Sequence, residues 1–478
     1  MLSKPLSLKP YLIIALLIFL LAFGLRMVDL GVTSLWLDES FTAESMMIAR
    51  DGDGFVASVK ARLLHVPIYF ASLLLYPDEH SDFSMRYPSV LWSLLLIAMT
   101  MRILTHIYHF RRYALFAGFL LAVHSLVIIQ SREARMYPMT NFLVATSTYF
   151  FLRYLQQSTQ ANRHWVLAIV FTLIAYLTHI ATFLLIPAQG AVLLWQVIRR
   201  KMPARNFFGW GAIQAILVIP TLLWMTITVF DFDAHNWVEP PNPELIRFVA
   251  GQLVYGHLDL VGVGFERGIF LAVFPILILI PAVRTRYLSY WLGMTWLTFI
   301  ALIILSFMIQ PFFNQRYLSV AIFAYIILLV FSYKAIGDFI LSRYRIAGVI
   351  AIALIISIQL SLSLLATWGR LNNGTFSSTF YQQVLEYIRD ESEPDDTVVV
   401  TYGITVLNWY LHDTSLNLIQ DKLSYIDMYY QDGAFPDERV WVSTTTDHHS
   451  SFYEIVQAQG IEPVYQYRTA VVYLFETE

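Results

Sequence analysis

The chain has 478 residues, of which 57% are apolar and only 14% charged, the balance expected where lipid rather than water surrounds much of the surface. Its 34 acidic and 31 basic residues leave a net charge of −3, so no global basic field points to nucleic acid. Cysteine is absent, which excludes disulfides, thiolate catalysis and Cys-ligated metals.

The first apolar run, residues 11–30, is too long for a signal-peptide core and has no small-residue cleavage site before Asp29, so it reads as a retained first span. Ten more runs of roughly 17–22 residues, the length that crosses the hydrocarbon core, follow near 87–106, 113–131, 138–154, 165–178, 180–198, 208–230, 267–283, 288–309, 317–333 and 346–366. That makes about eleven spans in a helical polytopic membrane protein, with the tight turn at Thr178-His179 leaving the fifth and sixth open to another division. In the long first loop, 31–86, short amphipathic helices are expected at 41–48 and 55–64 and a more apolar one at 66–76. Beyond the last span the tail alternates helix (380–389), strand (397–401), strand (439–443), helix (452–459) and strand (470–475), the pattern of a small α/β domain. The expected division is therefore a transmembrane domain over 1–367 and a second domain over 368–478. No internal repeat is visible, which weighs against a secondary transporter.

With the N-terminus in the cytoplasm, the short inside segments carry Lys4, Lys9, Arg111, Arg112, Arg163, Arg199, Arg200, Lys201, Arg205, Arg284, Arg286, Lys334, Arg343 and Arg345 against the single acid Asp338. Every inside loop thus obeys the positive-inside rule. The expectation is an integral protein of the plasma (inner) membrane with its C-terminal domain extracytoplasmic. Almost all acids then fall on the outer face, and chemistry is expected there.

Five motifs map to that face. Asp38-Glu39 follows the first span; it suits a helix start, and equally a carboxylate that takes a proton from an attacking hydroxyl. His65-Val66-Pro67-Ile68-Tyr69 combines a helix-start proline with a histidine able to meet a metal or a phosphate oxygen. Arg86-Tyr87-Pro88-Ser89 opens the second span, where an arginine either snorkels to headgroups or clamps a phosphate. Arg132-Glu133-Ala134-Arg135-Met136-Tyr137 puts three charges between two spans, as an interhelical ion pair or as a second acidic site with groups reaching a phosphorylated ligand. Asn314-Gln315-Arg316-Tyr317 again sets one arginine among aromatic residues at membrane level. His179, Asp231, Asp233, His235 and His257 also map outside, with no metal-motif spacing. Acids, a histidine and several arginines at headgroup depth suit a phosphorylated lipid substrate.

Trp36-Leu37-Asp38-Glu39, His65-x-Pro67-x-Tyr69, Arg86-x-Pro88-Ser89, Glu133-x-Arg135-x-Tyr137 and Arg316-Tyr317, in this order, resemble the successive signatures of the C-type-fold (GT-C) membrane glycosyltransferases, in particular the protein O-mannosyltransferases and lipid A aminoarabinose transferases. The resemblance implies a polyprenyl-phosphate-linked sugar as donor and transfer to a hydroxyl of a protein, lipid or glycan on the non-cytoplasmic face, with inversion. It implies Asp38 as catalytic base with Glu39 in a supporting role, Arg86, Arg135, Arg316, Tyr137 and Tyr317 at the donor phosphate, and His65 and Glu133 supporting the acceptor or a divalent metal ion. A lipid-linked-sugar transporter or flippase and a noncatalytic envelope assembly protein are the rival readings. A transporter should place its charges at the bilayer midplane, whereas these cluster at one surface.

Overall fold

A computed structural model describes residues 7–50, 66–76, 81–156, 161–228, 240–255, 287–308, 313–343, 381–400, 404–411, 414–419, 439–445, 460–467 and 470–476, with isolated positions between these stretches. The chain forms two compact units: Met1–Val28, Leu64–Ser72 and Arg86–Asn373 make the first, and Asp29–Leu63, Leu73–Met85 and Gly374–Glu478 the second.

The first unit is helical. Among the described residues six helices are long and apolar enough to cross a membrane: Leu8–Met27, Asp82–Ile107, Ile180–Ile198, Ala204–Thr226, Leu288–Met308 and Gln315–Ala335. A seventh crossing is available if Arg111–Val123 and Ser125–Ser131, bent by 62° about His124, count as one span. Tyr137–Leu155, of 19 residues, and the shorter Ala161–Tyr176, of 16, correspond to two more expected spans but are not among these six. The expected span at 267–283, and all but a few positions of the one at 346–366, lie outside the described residues. The division at Thr178-His179 is real: His179 is extended (φ −163°, ψ 136°) and its ring caps the short 3₁₀ turn Ile180–Leu184 that opens the next helix. Residues 318–333 are almost wholly buried, the mark of a central helix, while Leu12, Ile13, Leu16, Leu17 and Leu20 of the first helix stay exposed, as a lipid-facing helix requires.

Helix ends buried in such a bundle leave carbonyls that water cannot reach. Two arginines supply the donors. Arg26, fully buried, donates from Nη1 and Nη2 to the carbonyls of Ala122 (3.0 Å) and Leu121 (3.2 Å), at the point where the bent span breaks, and from Nε to Ser93 Oγ (3.0 Å). Arg132 in turn donates to the carbonyls of Arg26 and Val28 at the end of the first helix. One of the three charges of the 132–135 loop is thereby explained as a helix cap. Replacing Arg26 by Met, which keeps much of the stem's bulk, should cost roughly 1–3 kcal/mol for each carbonyl left without a donor. A thermal unfolding scan in detergent should show a lower midpoint; an unchanged one would remove the capping role.

The second unit carries a five-stranded sheet in the order β2-β1-β3-β5-β4, with β1 Thr397–Val400, β2 Asn417–Leu418, β3 Arg439–Thr445, β4 Tyr465–Tyr467 and β5 Ala470–Glu476. β1 lies parallel to both β2 and β3, whereas β5 is antiparallel to β3 and β4. The run Thr397-Val398-Val399-Val400 is buried on both faces, as a parallel strand covered by helices should be. Helix Tyr381–Glu391 buries Tyr381, Val384, Leu385 and Ile388, one face at helical spacing. Three expected strands and this helix are present. Helix Ile404–Leu411 and the short β2 and β4 were not anticipated, and only 456–458 of the expected helix at 452–459 are described. The same unit contains helix Leu37–Arg50, which begins four residues before the expected start at 41 and packs against Ile404–Leu411. The expected helix at 55–64 lies outside the described residues, and the one at 66–76 is shorter, Ile68–Leu73.

Candidate active site

In the second unit, Asp38 and Glu39 occupy the first turn of Leu37–Arg50. Glu39 is buried, and its Oε2 accepts the Trp36 backbone N–H (3.2 Å), the third residue of a helix reaching back to the residue before it. Glu39 therefore closes its own helix terminus. Asp38 is half-buried, and its backbone carbonyl accepts the Thr42 hydroxyl (3.2 Å).

In the first unit four of the five motifs meet. The hydroxyl of Ser89 donates to the Arg135 backbone carbonyl (3.2 Å) and lies 3.3 Å from the Tyr69 hydroxyl, so side chains of the second and third motifs and the backbone of the fourth share one hub. The Ile68 N–H donates to Leu177 O (3.0 Å), tying the second motif to the turn that holds His179. The His179 ring lies 5.5 Å from that of Tyr137 and 5.1 Å from that of Tyr317, which brings in the fifth motif. Tyr317 and Arg316 start a helix capped by Asn314, whose Oδ1 accepts both their backbone N–H groups (3.1 and 2.9 Å). Arg86, Arg135 and Glu133 are buried and Arg316 is half-buried. His65, Asp231, Asp233, His235 and His257 lie outside the described residues. Among the described residues no three His, Asp or Glu side chains are grouped so as to hold a metal ion.

Two residues gain weight from the structure. Ser89 reads in the sequence as ordinary helix-start chemistry, and His179 as a lone histidine; only the meeting of distant segments makes either a junction. The Nδ1 of His179 accepts the Ala181 N–H (3.1 Å), which puts the proton of the neutral ring on Nε2. Burial, reinforced by the charge of Arg135, lowers its pKa to about 3. The folded protein refuses a proton that the unfolded chain binds below about pH 6.5. Stability linked to this group is thus complete above that pH and declines by about 1.4 kcal/mol per unit as pH falls toward 3. His179→Gln should flatten the slope of wild-type stability against pH between about 6 and 4; parallel curves for the two proteins would contradict a neutral His179.

Buried guanidinium groups on the third and fourth motifs, Arg86 and Arg135, with the Arg135 charge acting on the His179 ring, are of the kind that suits an anion with several acceptor oxygens. A family model described as dolichyl-phosphate-mannose-protein mannosyltransferase matches residues 65–224, the stretch that contains Tyr69, Ser89, Arg135, Tyr137 and His179. The structure superposes on ArnT from Cupriavidus metallidurans bound to undecaprenyl phosphate with a TM-score of 0.60 and 16% identity, covering 98% of each chain. The chain has the C-type glycosyltransferase fold. That fold also accounts for its likeness to the archaeal oligosaccharyltransferase AglB from Archaeoglobus fulgidus, in complex with an inhibitory peptide and a dolichol-phosphate (TM-score 0.51, 12% identity, 93% of this chain and 70% of that one). The mycobacterial arabinofuranosyltransferase AftD shares it too (TM-score 0.53, 14% identity), although this chain, matched over 100% of its length, spans 40% of AftD. By sequence, no curated protein matches the chain.

Proposed function

We propose that this C-type-fold protein moves a sugar from a polyprenyl-phosphate donor to a hydroxyl acceptor on the non-cytoplasmic face, inverting the anomeric carbon. The observation that carries the reading is the meeting of four motifs at Ser89 and His179 in one unit with two buried arginines, Arg86 and Arg135. Undecaprenyl phosphate in ArnT, a protein of the same fold, supports a lipid phosphate as the anion.

In this mechanism Asp38 takes the proton of the acceptor hydroxyl as its oxygen bonds to C1. The C1–O bond to phosphate breaks through an oxocarbenium-like state, for which glycoside hydrolysis is the physical template. The bonding pair leaves on the phosphate oxygen, and Arg86, Arg135 and Arg316, with Tyr137 and Tyr317, stabilise the charge that develops there. Glu39 keeps the helix start that presents Asp38, and Glu133 and His65 serve the acceptor side. The positive-inside pattern supports a plasma-membrane protein with a cytoplasmic N-terminus and an extracytoplasmic sheet domain.

The test is transfer by the full chain in proteoliposomes, with a panel of radiolabelled undecaprenyl-phosphate sugars (mannose, arabinose, aminoarabinose) and peptide, lipid and glycan acceptors. Label should move to a hydroxyl with inverted configuration. Label that crosses the bilayer while still attached to its lipid would instead establish a flippase.

A further inference from the structure

We infer that Trp409 and Tyr410, on a helix of the sheet-bearing unit, are positioning residues for the acidic pair, acting through Asp82 and the backbone just before Asp38. The inference rests on the reaction proposed above.

The geometry is a closed set of bonds inside one unit. Asp82 is buried, and its two carboxylate oxygens accept separate donors: Oδ1 from Trp409 Nε1 (3.1 Å) and Oδ2 from the Tyr410 hydroxyl (2.7 Å). The Tyr410 oxygen, its proton committed to Asp82, accepts the Leu35 backbone N–H (2.8 Å). One residue earlier, Ser34 Oγ accepts the Gln382 N–H (2.8 Å). One residue later, the Trp36 N–H is held by Glu39. The side chain of residue 34 and the backbone N–H groups of 35 and 36 are thereby held, and the helix bearing Asp38 begins at the next residue. Its far end is fastened as well, since Arg50 Nη2 donates to Tyr76 O (2.9 Å).

Packing alone would not need this arrangement. Trp409 and Tyr410 are nearly buried, 5% and 8% exposed, and a wholly apolar set of side chains at 82, 409 and 410 would fill the same space without burying a carboxylate. A charge buried between two directional donors fixes orientation in a way that apolar contact does not. A general base must meet its proton within hydrogen-bond reach, and a displacement of about 1 Å can cost on the order of 100-fold in rate. The sheet domain thus reaches the chemistry through Tyr410 without touching substrate.

Trp441 provides a matched control. Its Nε1 donates to Asp396 Oδ2 (2.7 Å) at the sheet, an indole–carboxylate bond of the same kind, in the same unit and distant in sequence from Asp38. Three full-length proteins, wild type, Tyr410→Phe and Trp441→Phe, should be compared for transfer kinetics, undecaprenyl-phosphate binding and amide hydrogen exchange over residues 34–42. In Tyr410→Phe we expect exchange there to quicken and kcat to fall roughly 10–100-fold with undecaprenyl-phosphate affinity unchanged. In Trp441→Phe stability should fall while exchange at 34–42 and kcat hold. Unchanged exchange in Tyr410→Phe overturns the clamp, and so does an equal loss of kcat in the two variants. Faster exchange with undiminished kcat overturns its positioning role. A wild type that transfers no sugar sinks the proposed reaction and the positioning role with it, an outcome that exchange data distinguish from failure of the clamp.

Discussion

Asp38→Asn is expected to lower kcat for sugar transfer by about 100- to 10,000-fold, the range attributed to a positioned general base. The substitution is nearly isosteric and removes only the ability to accept a proton. The helix start should survive it, because the cap at Trp36 is made by the Glu39 side chain and Thr42 bonds to the backbone of residue 38 rather than to its side chain. Donor binding should also survive, since the proposed phosphate ligands lie on other segments. The informative measurement pairs single-turnover transfer with titration of undecaprenyl phosphate. Loss of turnover at constant affinity identifies a group that acts in the transition state. Undiminished transfer would end the assignment of Asp38 as base, whatever its effect on binding.

The second large effect is expected at Arg135. Replacing it by Met removes one fork of charged donors while leaving the backbone carbonyl that receives Ser89. Hydrogen bonds to a charged group are worth about 1.5–3 kcal/mol, so undecaprenyl phosphate should bind roughly 10- to 150-fold more weakly. Arg135→Lys keeps the charge without the planar fork and should fall between the two. The variant makes an independent statement about His179, whose pKa the Arg135 charge helps to lower. In Arg135→Met that pKa should rise, and the loss of stability on acidification should become shallower. Unchanged lipid affinity together with a shallower acid limb would leave Arg135 beside His179 and remove it from the phosphate site.

Long apolar runs and the placement of Lys and Arg carried the membrane character of this chain, because a bilayer imposes one length scale on every helix that crosses it. The fold was legible through the resemblance that the ordered motifs carry, while the cost of Arg86, Arg135 and Arg316 at that depth marked them as functional candidates. Boundaries were less legible. The apolar pattern of the first loop starts at Phe41, whereas the helix begins at Leu37, since what starts it is the Glu39 carboxylate folding back on Trp36. Helix Ile404–Leu411, with Thr405 and Val406 near its start, has a composition that serves strand and helix alike. Ser89 and His179 lay beyond any local rule. Each owes its place to segments between 20 and 138 residues away in sequence, and no periodicity encodes such a meeting.

The arginine caps bear on how the protein is made. When the first helix enters the bilayer, the residues that will receive Arg26 from the bent span, Leu121 and Ala122, have yet to follow it. Until then the guanidinium has the Ala22 carbonyl of its own turn and the headgroups near the helix end. Its bonds to Leu121 and Ala122 can form only once the broken span is present, so the seating of the first helix is expected to depend on residues synthesised about a hundred positions later.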